Sequence, residues 1–198
     1  MTGSATPAAS ETYTCLGMRL FIGIPLAAFV IEQLEKISMR HRVEKDGLRW
    51  SMPESWHITL QFLGSTSDTQ YECVVARLRE LHSAPLPIEL DVLGFFDRAG
   101  IFFAGVTLTS ELLALQQQVT AATIPCGFIL EDRPYRPHIT LARSKGRRNA
   151  VGLEALKTKI RHQPKFSRFV AEEFLLYESF TRPTGSQYET RGRFRLGF

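Results

Sequence analysis

Several patterns that mark common ligand sites are missing from this 198-residue sequence. Its three cysteines, Cys15, Cys73 and Cys126, include no C-x-x-C pair, and they indicate neither a zinc knuckle nor a disulfide framework. We therefore expect a protein of a reducing compartment, the cytoplasm. No Gly-rich phosphate loop of the P-loop or dinucleotide-binding type occurs, which argues against both of those nucleotide-binding folds.

Long hydrophobic runs are also missing. The longest apolar stretch near the N-terminus, residues 20–31, is interrupted by Gly23 and Pro25 and is too short to span a bilayer. Residues 1–14 are small and polar without a basic segment, so they do not resemble a signal peptide. We expect residues 1–17 to form a flexible N-terminal extension and residues 18–198 to form a single domain without a membrane contact.

The composition is that of an ordinary soluble protein with a mild basic excess. Hydrophobic residues make up 44% of the chain and charged residues 22%, which is enough apolar material for a core. The formal net charge of +4 favours a polyanionic partner without requiring one.

Hydrophobic periodicity predicts strands and helices in irregular alternation. Helices are expected around residues 29–37 and over residues 67–82, 110–123 and 153–161, with Ser67 or Asp68 capping the second and Ser110 the third. Strands are expected over residues 19–24, 48–50, 56–64, 88–96, 101–108, 138–143, 169–180 and 188–196, with a hairpin turn at residues 97–100. This order favours an α+β fold over a doubly wound parallel sheet.

One tetrapeptide, His-Ile-Thr-Leu, occurs twice, at residues 57–60 and 138–141. Because side chains alternate along a strand, His57 and Thr59 are predicted to share one face while the aliphatic residues pack on the other. The same alternation pairs His138 with Thr140. Two such faces across a cleft would bring two imidazoles and two hydroxyls around one small volume.

That combination suits the cleavage of a phosphodiester. A neutral histidine takes a proton from attacking water while a protonated one gives a proton to the departing oxygen, and an imidazole pKa near 6.5 allows both forms. Threonine hydroxyls can donate to phosphate oxygens. Metal binding is the rival interpretation, but no carboxylate or cysteine stands at ligand spacing near either copy, so we expect no metal and no cofactor. A structural role is the alternative for any single histidine.

The flanks of the two copies resemble a known family. The matching stretches are M-R-L-F-I-G-I-P-L (residues 18–26), P-E-S-W-H-I-T-L-Q-F-L-G (residues 53–64) and R-P-Y-R-P-H-I-T-L-A-R (residues 133–143). They are similar to the 2H phosphoesterase superfamily, and within it to the bacterial and archaeal RNA 2′,3′-cyclic phosphodiesterases, historically called 2′-5′ RNA ligases. The resemblance implies a two-lobed α+β fold with a pseudo-twofold axis, antiparallel sheets lining a central groove and helices outside.

The resemblance also implies an activity and its residues. Metal-independent hydrolysis would convert RNA 2′,3′-cyclic phosphate ends to 2′-phosphates, and the reverse reaction would form 2′-5′ linkages. His57 and His138 would be the catalytic pair, with His57 assigned as general acid and His138 as general base. Phosphate-binding candidates are Thr59, Thr140, Arg136 and Arg143. Candidates for contact with a base or the RNA strand are Trp56, Tyr135, Arg147 and Arg148, with Phe21 as a further aromatic candidate that core packing would also explain.

Two alternatives stay open at this stage. The chain could be a non-catalytic nucleotide- or RNA-binding module on the same fold, or a 2H phosphodiesterase acting on another cyclic nucleotide. For each arginine the alternative is a solvated surface position. We expect a monomer.

Overall fold

The computed structural model describes residues 17–145, 150–182 and 185–197. Within these ranges the chain forms ten β-strands and four α-helices. The strands are β1 (Met18–Pro25), β2 (Leu48–Trp50), β3 (His57–Thr66), β4 (Leu86–Ile88), β5 (Leu90–Phe96), β6 (Ile101–Val106), β7 (His138–Ser144), β8 (Phe169–Ala171), β9 (Glu173–Arg182) and β10 (Gly185–Arg195). The helices are α1 (Ala28–His41), α2 (Asp68–Arg79), α3 (Ser110–Thr123) and α4 (Ala150–Lys159).

Two four-stranded antiparallel sheets carry one copy of the repeated tetrapeptide each. The first has the strand order β10-β9-β1-β3, so the first copy lies on an edge strand. The second has the order β2-β7-β6-β5, so the second copy lies on an internal strand. A short third sheet pairs β4 with β8. This arrangement confirms the predicted two-lobed α+β fold.

The aliphatic face of each repeated tetrapeptide is buried, as strand alternation predicts. Ile58 and Leu60 on β3, and Ile139 and Leu141 on β7, all belong to one hydrophobic cluster that includes residues of both sheets. The apolar faces of the helices belong to the same cluster, through residues such as Val74 on α2 and Leu112 on α3. A shared core fixes the two sheets against each other and so fixes the separation of their polar faces.

The helix starts follow local capping chemistry. Ser67 caps α2 as predicted, because its Oγ accepts from the N–H of Gln70 while the Gln70 side chain accepts from the N–H of Ser67. For α3 the predicted cap Ser110 is wrong by one residue. The cap is Thr109, whose Oγ1 accepts from the N–H of Leu112 at 3.2 Å.

The long strand predicted over residues 169–180 is divided between two sheets. Phe169–Ala171 pairs with Leu86–Ile88, whereas Glu173–Arg182 pairs with β1 and β10. Periodicity shows that a segment is extended but not which strand it pairs with, so the exchange of partners at residue 172 left no pattern in the sequence.

The prediction that the cysteines form no disulfide is wrong for one pair. Cys73 on α2 and Cys126, in the 3₁₀ turn Ile124–Cys126 after α3, form a disulfide with a Cα–Cα distance of 5.7 Å. The two positions are 53 residues apart in sequence and meet only because α2 packs beside the end of α3. The bond removes the cysteine-based argument for a reducing compartment, and the cytoplasmic location stays a prediction.

Three further expectations concern the N-terminal extension, membrane contact and the oligomeric state. The predicted N-terminal extension, apart from Gly17, falls outside them. Among the helices that the structure describes, none is long and apolar enough to cross a membrane. The monomeric state stays a prediction.

Candidate active site

The polar faces of the two tetrapeptides line one space between the sheets, which we call the motif groove and define by His57, Thr59, His138 and Thr140. All four side chains are partly exposed, whereas Ile58 and Ile139, which separate the histidine from the threonine in each copy, are buried. Strands β3 and β7 lie against each other, and the charge of His138 contributes to lowering the pKa of His57. The sheets therefore bring together the two His–Thr pairs that the sequence predicts.

Both imidazoles are held by the same kind of backbone contact. Nδ1 of His57 lies 2.8 Å from the carbonyl oxygen of Ser55, and Nδ1 of His138 lies 2.7 Å from that of Arg136. Because a carbonyl oxygen only accepts hydrogen bonds, Nδ1 carries the proton in both rings and Nε2 is the nitrogen left for chemistry. Each carbonyl lies two residues before its histidine, so the orientation is built into the approach to each strand.

The environment of Nε2 differs between the two copies. Nε2 of His57 is 3.1 Å from Oγ1 of Thr59, and in the neutral ring the hydroxyl donates to that nitrogen. In the part of the chain that the structure describes, Thr140 has no counterpart bond to Nε2 of His138. The motif groove is thus symmetric in composition but not in hydrogen bonding.

Burial favours the neutral form of both histidines by lowering their pKa values. It lowers the pKa of His57 to about 4, against the opposing effect of the Ser55 carbonyl and with further lowering by His138 and Arg143. Burial also lowers the pKa of His138, which the Arg136 carbonyl raises and the Arg143 charge lowers. A bound phosphate anion would raise both pKa values. Each imidazole is therefore poised to gain a proton when an anion enters.

Aromatic rings pack against each imidazole. Phe21 lies 4.5 Å from the ring of His57, centroid to centroid, and Tyr188 meets that ring edge-on at 5.2 Å. On the other side of the groove, Phe96 and Phe103 meet His138 edge-on at 4.9 and 5.5 Å. These contacts restrict rotation of the imidazoles and exclude water from one side. Phe21 is buried beneath His57, so core packing explains it and it offers no face to a base.

Gly23 on β1 supplies room for the His57 ring. A Cβ built there would lie 2.9 Å from the carbonyl oxygen of Ile58 and 3.2 Å from Cδ2 of His57. A glycine inside a predicted strand is the sequence pattern that points to such a close approach. In the sequence this glycine appears only as an interruption of an apolar run, and its place beneath the histidine becomes visible only when β1 pairs with β3.

Arg143 reaches the motif groove through a β-bulge. Thr140 pairs with Phe103 and Ala142 pairs with Phe102, so Leu141 has no partner on β6. The extra residue reverses the alternation and returns Arg143 to the face that carries His138 and Thr140. Its charge acts on both histidines. The structure thus places this predicted phosphate-binding candidate at the groove.

A second arginine, not among the predicted site residues, lies beside Arg143. Arg49 on β2 is its direct partner across the strand pair. Burial lowers the pKa of Arg143, Tyr188 raises it and the Arg49 charge lowers it. Neither guanidinium has a carboxylate partner among the ion pairs of the described residues. Only the pairing of β2 with β7, which is not visible in the sequence, brings the two cations together.

The remaining candidates lie in varied surroundings. The Arg136 side chain is exposed, and its backbone carbonyl accepts the hydrogen bond from Nδ1 of His138. The Tyr135 hydroxyl donates to the carbonyl oxygen of Thr59 at 2.9 Å, so this side chain links the two motifs. Arg147 and Arg148 lie outside the described residues.

The prediction that Trp56 contacts a base is contradicted by its burial. Its side chain belongs to the hydrophobic cluster and is only 5% exposed, which leaves no ring face for stacking. In a strand that begins at His57, the preceding residue points away from the groove, and the bulky indole fills the core instead.

Metal-ligating groups are scarce around the groove. Within residues 17–145, 150–182 and 185–197, no cluster of three or more His, Cys, Asp or Glu side chains is arranged to hold a metal ion. The two imidazoles lie beside hydroxyls, aromatic rings and a guanidinium. This donor set suits proton transfer and anion binding.

Comparison with known proteins decides the family. A family model described as the 2′-5′ RNA ligase superfamily matches residues 25–179. The chain belongs to this superfamily. An RNA 2′,3′-cyclic phosphodiesterase of Geobacillus stearothermophilus is 31% identical over 181 residues, which are 89% of this chain and 56% of that relative. The chain thus spans about half the length of that protein.

Other superfamily members match over nearly their whole length. The RNA 2′,3′-cyclic phosphodiesterase of Bacillus subtilis is 25% identical over 89% of this chain and 95% of its own length. The crystal structure of E. coli LigT complexed with NADP⁺ superposes with a TM-score of 0.76 and 25% identity, covering 91% of this chain and 98% of LigT. These matches extend across both sheets and both tetrapeptides.

Proposed function

We propose that this chain is an RNA 2′,3′-cyclic phosphodiesterase that hydrolyses cyclic phosphate ends to 2′-phosphates without a metal. The observation that carries the proposal is the pair of imidazoles with Nδ1 bound to a carbonyl and Nε2 left for chemistry in one groove. Curated relatives from bacteria and archaea bear the name of this activity. LigT binds NADP⁺, a nucleotide that carries a ribose 2′-phosphate like that of the proposed product.

The reaction needs one proton removed and one supplied. Water attacks phosphorus and loses a proton to Nε2 of the neutral histidine, while the bond between phosphorus and O3′ breaks. The protonated histidine gives its proton to O3′, which leaves as a hydroxyl, and the phosphate stays on O2′. When a 5′-hydroxyl attacks in place of water, the same loss of O3′ forms a 2′-5′ linkage.

Neighbouring groups stabilise the negative charge on the phosphate oxygens as the reaction proceeds. In our proposal Thr59 and Thr140 donate hydroxyl protons to the non-bridging oxygens, and the Arg143 guanidinium supplies positive charge from the same face. The Arg136 side chain is exposed, and its contact with phosphate stays a prediction.

The assignment of His57 as the acid and His138 as the base also stays a prediction, with a condition attached. Because burial lowers the pKa of His57 to about 4, that ring becomes an acid only when the negative charge of the substrate raises its pKa. The acid is therefore protonated together with substrate binding, not before it.

Turnover in the presence of a chelator tests the proposal. The full chain is incubated with a nucleoside 2′,3′-cyclic phosphate and EDTA, and the product is identified as the 2′- or the 3′-phosphate by chromatography. We expect the 2′-phosphate, and a loss on the order of 10²–10⁴ in kcat for His57→Ala and for His138→Ala. Met39→Ala, a change at an exposed position on α1, serves as the matched control.

Two outcomes would overturn the proposal. No turnover by the wild-type chain, together with nucleotide binding that survives both histidine changes, would leave a binding module on the same fold. Turnover that requires an added metal would replace the histidine mechanism by metal catalysis. A preference for another cyclic phosphate, measured by kcat/KM, would keep the chemistry and change the substrate.

A further inference from the structure

The C-terminal half of α1 lies beside the segment that follows α4. Gln33 on α1 donates from Nε2 to Oγ of Ser167 at 3.0 Å, and the Ser167 N–H donates to Oε1 of Gln33 at 3.2 Å. At the end of α1, burial lowers the pKa of His41, and the charges of Arg40 and Lys159 lower it further. Positive charge from the helix and from the segment therefore acts on the same side chain.

The segment itself is strongly basic. Residues 155–171 contain five lysines and arginines and no aspartate or glutamate. An uncharged contact attaches the segment to β5, since Oε1 of Gln163 accepts from the Leu93 N–H at 2.7 Å. The side chains of Lys159 and Arg161 are exposed at the end of α4 and just beyond it.

Helix α1 adds two cations on the side that faces this segment. Lys36 and Arg40 follow Gln33 by three and seven residues, which places all three on one face of the helix. The carboxylates of Glu32 and Glu35 are rotated from Arg40 by roughly 80° and 140° about the helix axis. We call the four exposed cations the basic face and define it by Lys36, Arg40, Lys159 and Arg161.

The charge of the basic face is not compensated. Within residues 17–145, 150–182 and 185–197, none of its four cations forms an ion pair with a carboxylate. Lys36 and Arg40 are four residues apart, a spacing at which like charges destabilise a helix. The helix dipole favours a cation in the last turn, which explains Arg40 and Lys159 but neither Lys36 nor Arg161. The basic face is therefore complementary to a polyanion.

A short connection joins the basic face to the motif groove. His41 ends α1, and Arg49 on β2 is the cross-strand partner of Arg143. His41 and Arg49 are eight positions apart in sequence, so their Cα atoms are separated by at most about 29 Å. At about 3.4 Å for each stacked nucleotide, roughly nine nucleotides cover that distance. One RNA strand can thus contact both places.

We propose that the basic face binds the phosphate backbone of the RNA strand upstream of the cyclic phosphate end, outside the motif groove. This inference rests on the proposed function, which places the 3′ end in the groove and leaves the 5′ part of the strand outside it. Contacts from lysine and arginine to phosphates carry no sequence information, so the face strengthens binding of any sequence. The substrate class is then an RNA oligonucleotide.

The kinetic test compares adenosine 2′,3′-cyclic phosphate with an RNA of about 12 nucleotides that has the same end. In Lys159→Gln/Arg161→Gln we expect KM for the RNA to rise about fivefold for each lost phosphate contact at 0.1 M salt, with kcat unchanged. Neither constant should change for the mononucleotide. Arg79→Gln/Arg195→Gln removes the same charge from exposed positions on α2 and β10 and should behave as wild type.

A binding measurement keeps this inference separate from the proposed function. Fluorescence anisotropy gives Kd over a range of salt for the same RNA ending in a 3′-hydroxyl, whether or not the chain turns over a cyclic phosphate. Each phosphate contact to a single strand contributes about 0.7 to the slope of log K against log salt. We therefore expect a slope less steep by about 1.4 for Lys159→Gln/Arg161→Gln and, from α1, for Lys36→Gln/Arg40→Gln.

Four results would overturn the inference. An unchanged Kd and salt slope in both basic-face variants would remove the face from RNA binding. An equal loss in the control variant would mean that net charge alone matters, and an equal rise in KM for the mononucleotide would show a distorted groove. Sedimentation with phosphatidylserine vesicles that the basic-face variants abolish, with Kd for RNA unchanged, would assign the face to an anionic membrane surface instead.

Discussion

The hydroxyl of Tyr135 donates a 2.9 Å hydrogen bond to the backbone carbonyl of Thr59, so the approach to the second motif is bound directly to the strand of the first. Thr59 lies on an edge strand, where one row of carbonyls faces away from the sheet. Burial raises the pKa of Tyr135, which keeps its hydroxyl protonated and donating at any ordinary pH. One side chain thus links the two halves of the motif groove.

Tyr135→Phe should therefore lower kcat more than it affects substrate binding. Removing the hydroxyl leaves the carbonyl of Thr59 without its partner, at a cost of about 1–3 kcal/mol, and loosens the spacing of the two imidazoles. We expect kcat to fall roughly 10-fold with a small change in KM, because a misplaced proton donor costs rate rather than binding. Steady-state kinetics together with urea unfolding will separate the two effects.

Tyr71→Phe is the matched control. Its hydroxyl donates to the carbonyl oxygen of Arg191 at 3.3 Å in an exposed contact, so its loss should leave kcat unchanged. If Tyr135→Phe loses stability but keeps the wild-type kcat, Tyr135 has a structural role only.

How far the sequence predicts this site can be judged from Arg143. The two tetrapeptides and strand alternation suffice to place both histidines and threonines on the groove face. Arg143, however, stands five residues after His138, and strict alternation would turn it to the opposite face. Only the unpaired Leu141 returns it to the groove, and that bulge depends on the partner strand β6.

Contacts between distant segments account for the other misses. The link from Tyr135 to Thr59, the pairing of Arg49 with Arg143 and the Cys73–Cys126 bond all join segments far apart in sequence. Local periodicity carries no information about such partners. Trp56 shows the opposite error. Its position next to a catalytic motif predicts a ligand contact, but its side chain is buried in the core.

The pH dependence of the rate should shift when substrate binds. The acid must be protonated, and burial lowers the pKa of both histidines below 6.5. We therefore expect kcat/KM, which reports the free enzyme, to decline with rising pH already below about 6.5. The decline in kcat, which reports the complex, should come at higher pH because the phosphate raises the pKa. Coincident alkaline limbs in the two profiles would contradict this expectation.

Gly23→Ala should damage the reaction through His57. The new methyl group would crowd Cδ2 of His57 and the Ile58 carbonyl oxygen, so the ring or the strand must move. A displacement of about 1 Å in a catalytic group can cost about 100-fold in rate, and we expect a loss of kcat of that order. The variant should still unfold cooperatively, with a loss of about 1–3 kcal/mol in unfolding free energy. A folded variant with the wild-type kcat would show that the His57 ring has room to adjust.

The Cys73–Cys126 disulfide should stabilise the fold without taking part in the chemistry. It joins α2 to the turn after α3, and closing a loop between positions 53 residues apart is worth about 4 kcal/mol by the chain-entropy estimate. Replacing both cysteines with serine, or reducing the bond, should lower Tm while leaving kcat close to the wild-type value. Under denaturing, non-reducing conditions the intact chain should show the single thiol of Cys15, and all three thiols should appear only after reduction. Three thiols before reduction would mean that the disulfide does not form in solution. A large fall in kcat on reduction would show that the disulfide affects the motif groove. The buried hydrogen bond from Thr123 at the end of α3 to Gln61 on β3 would then be the connection.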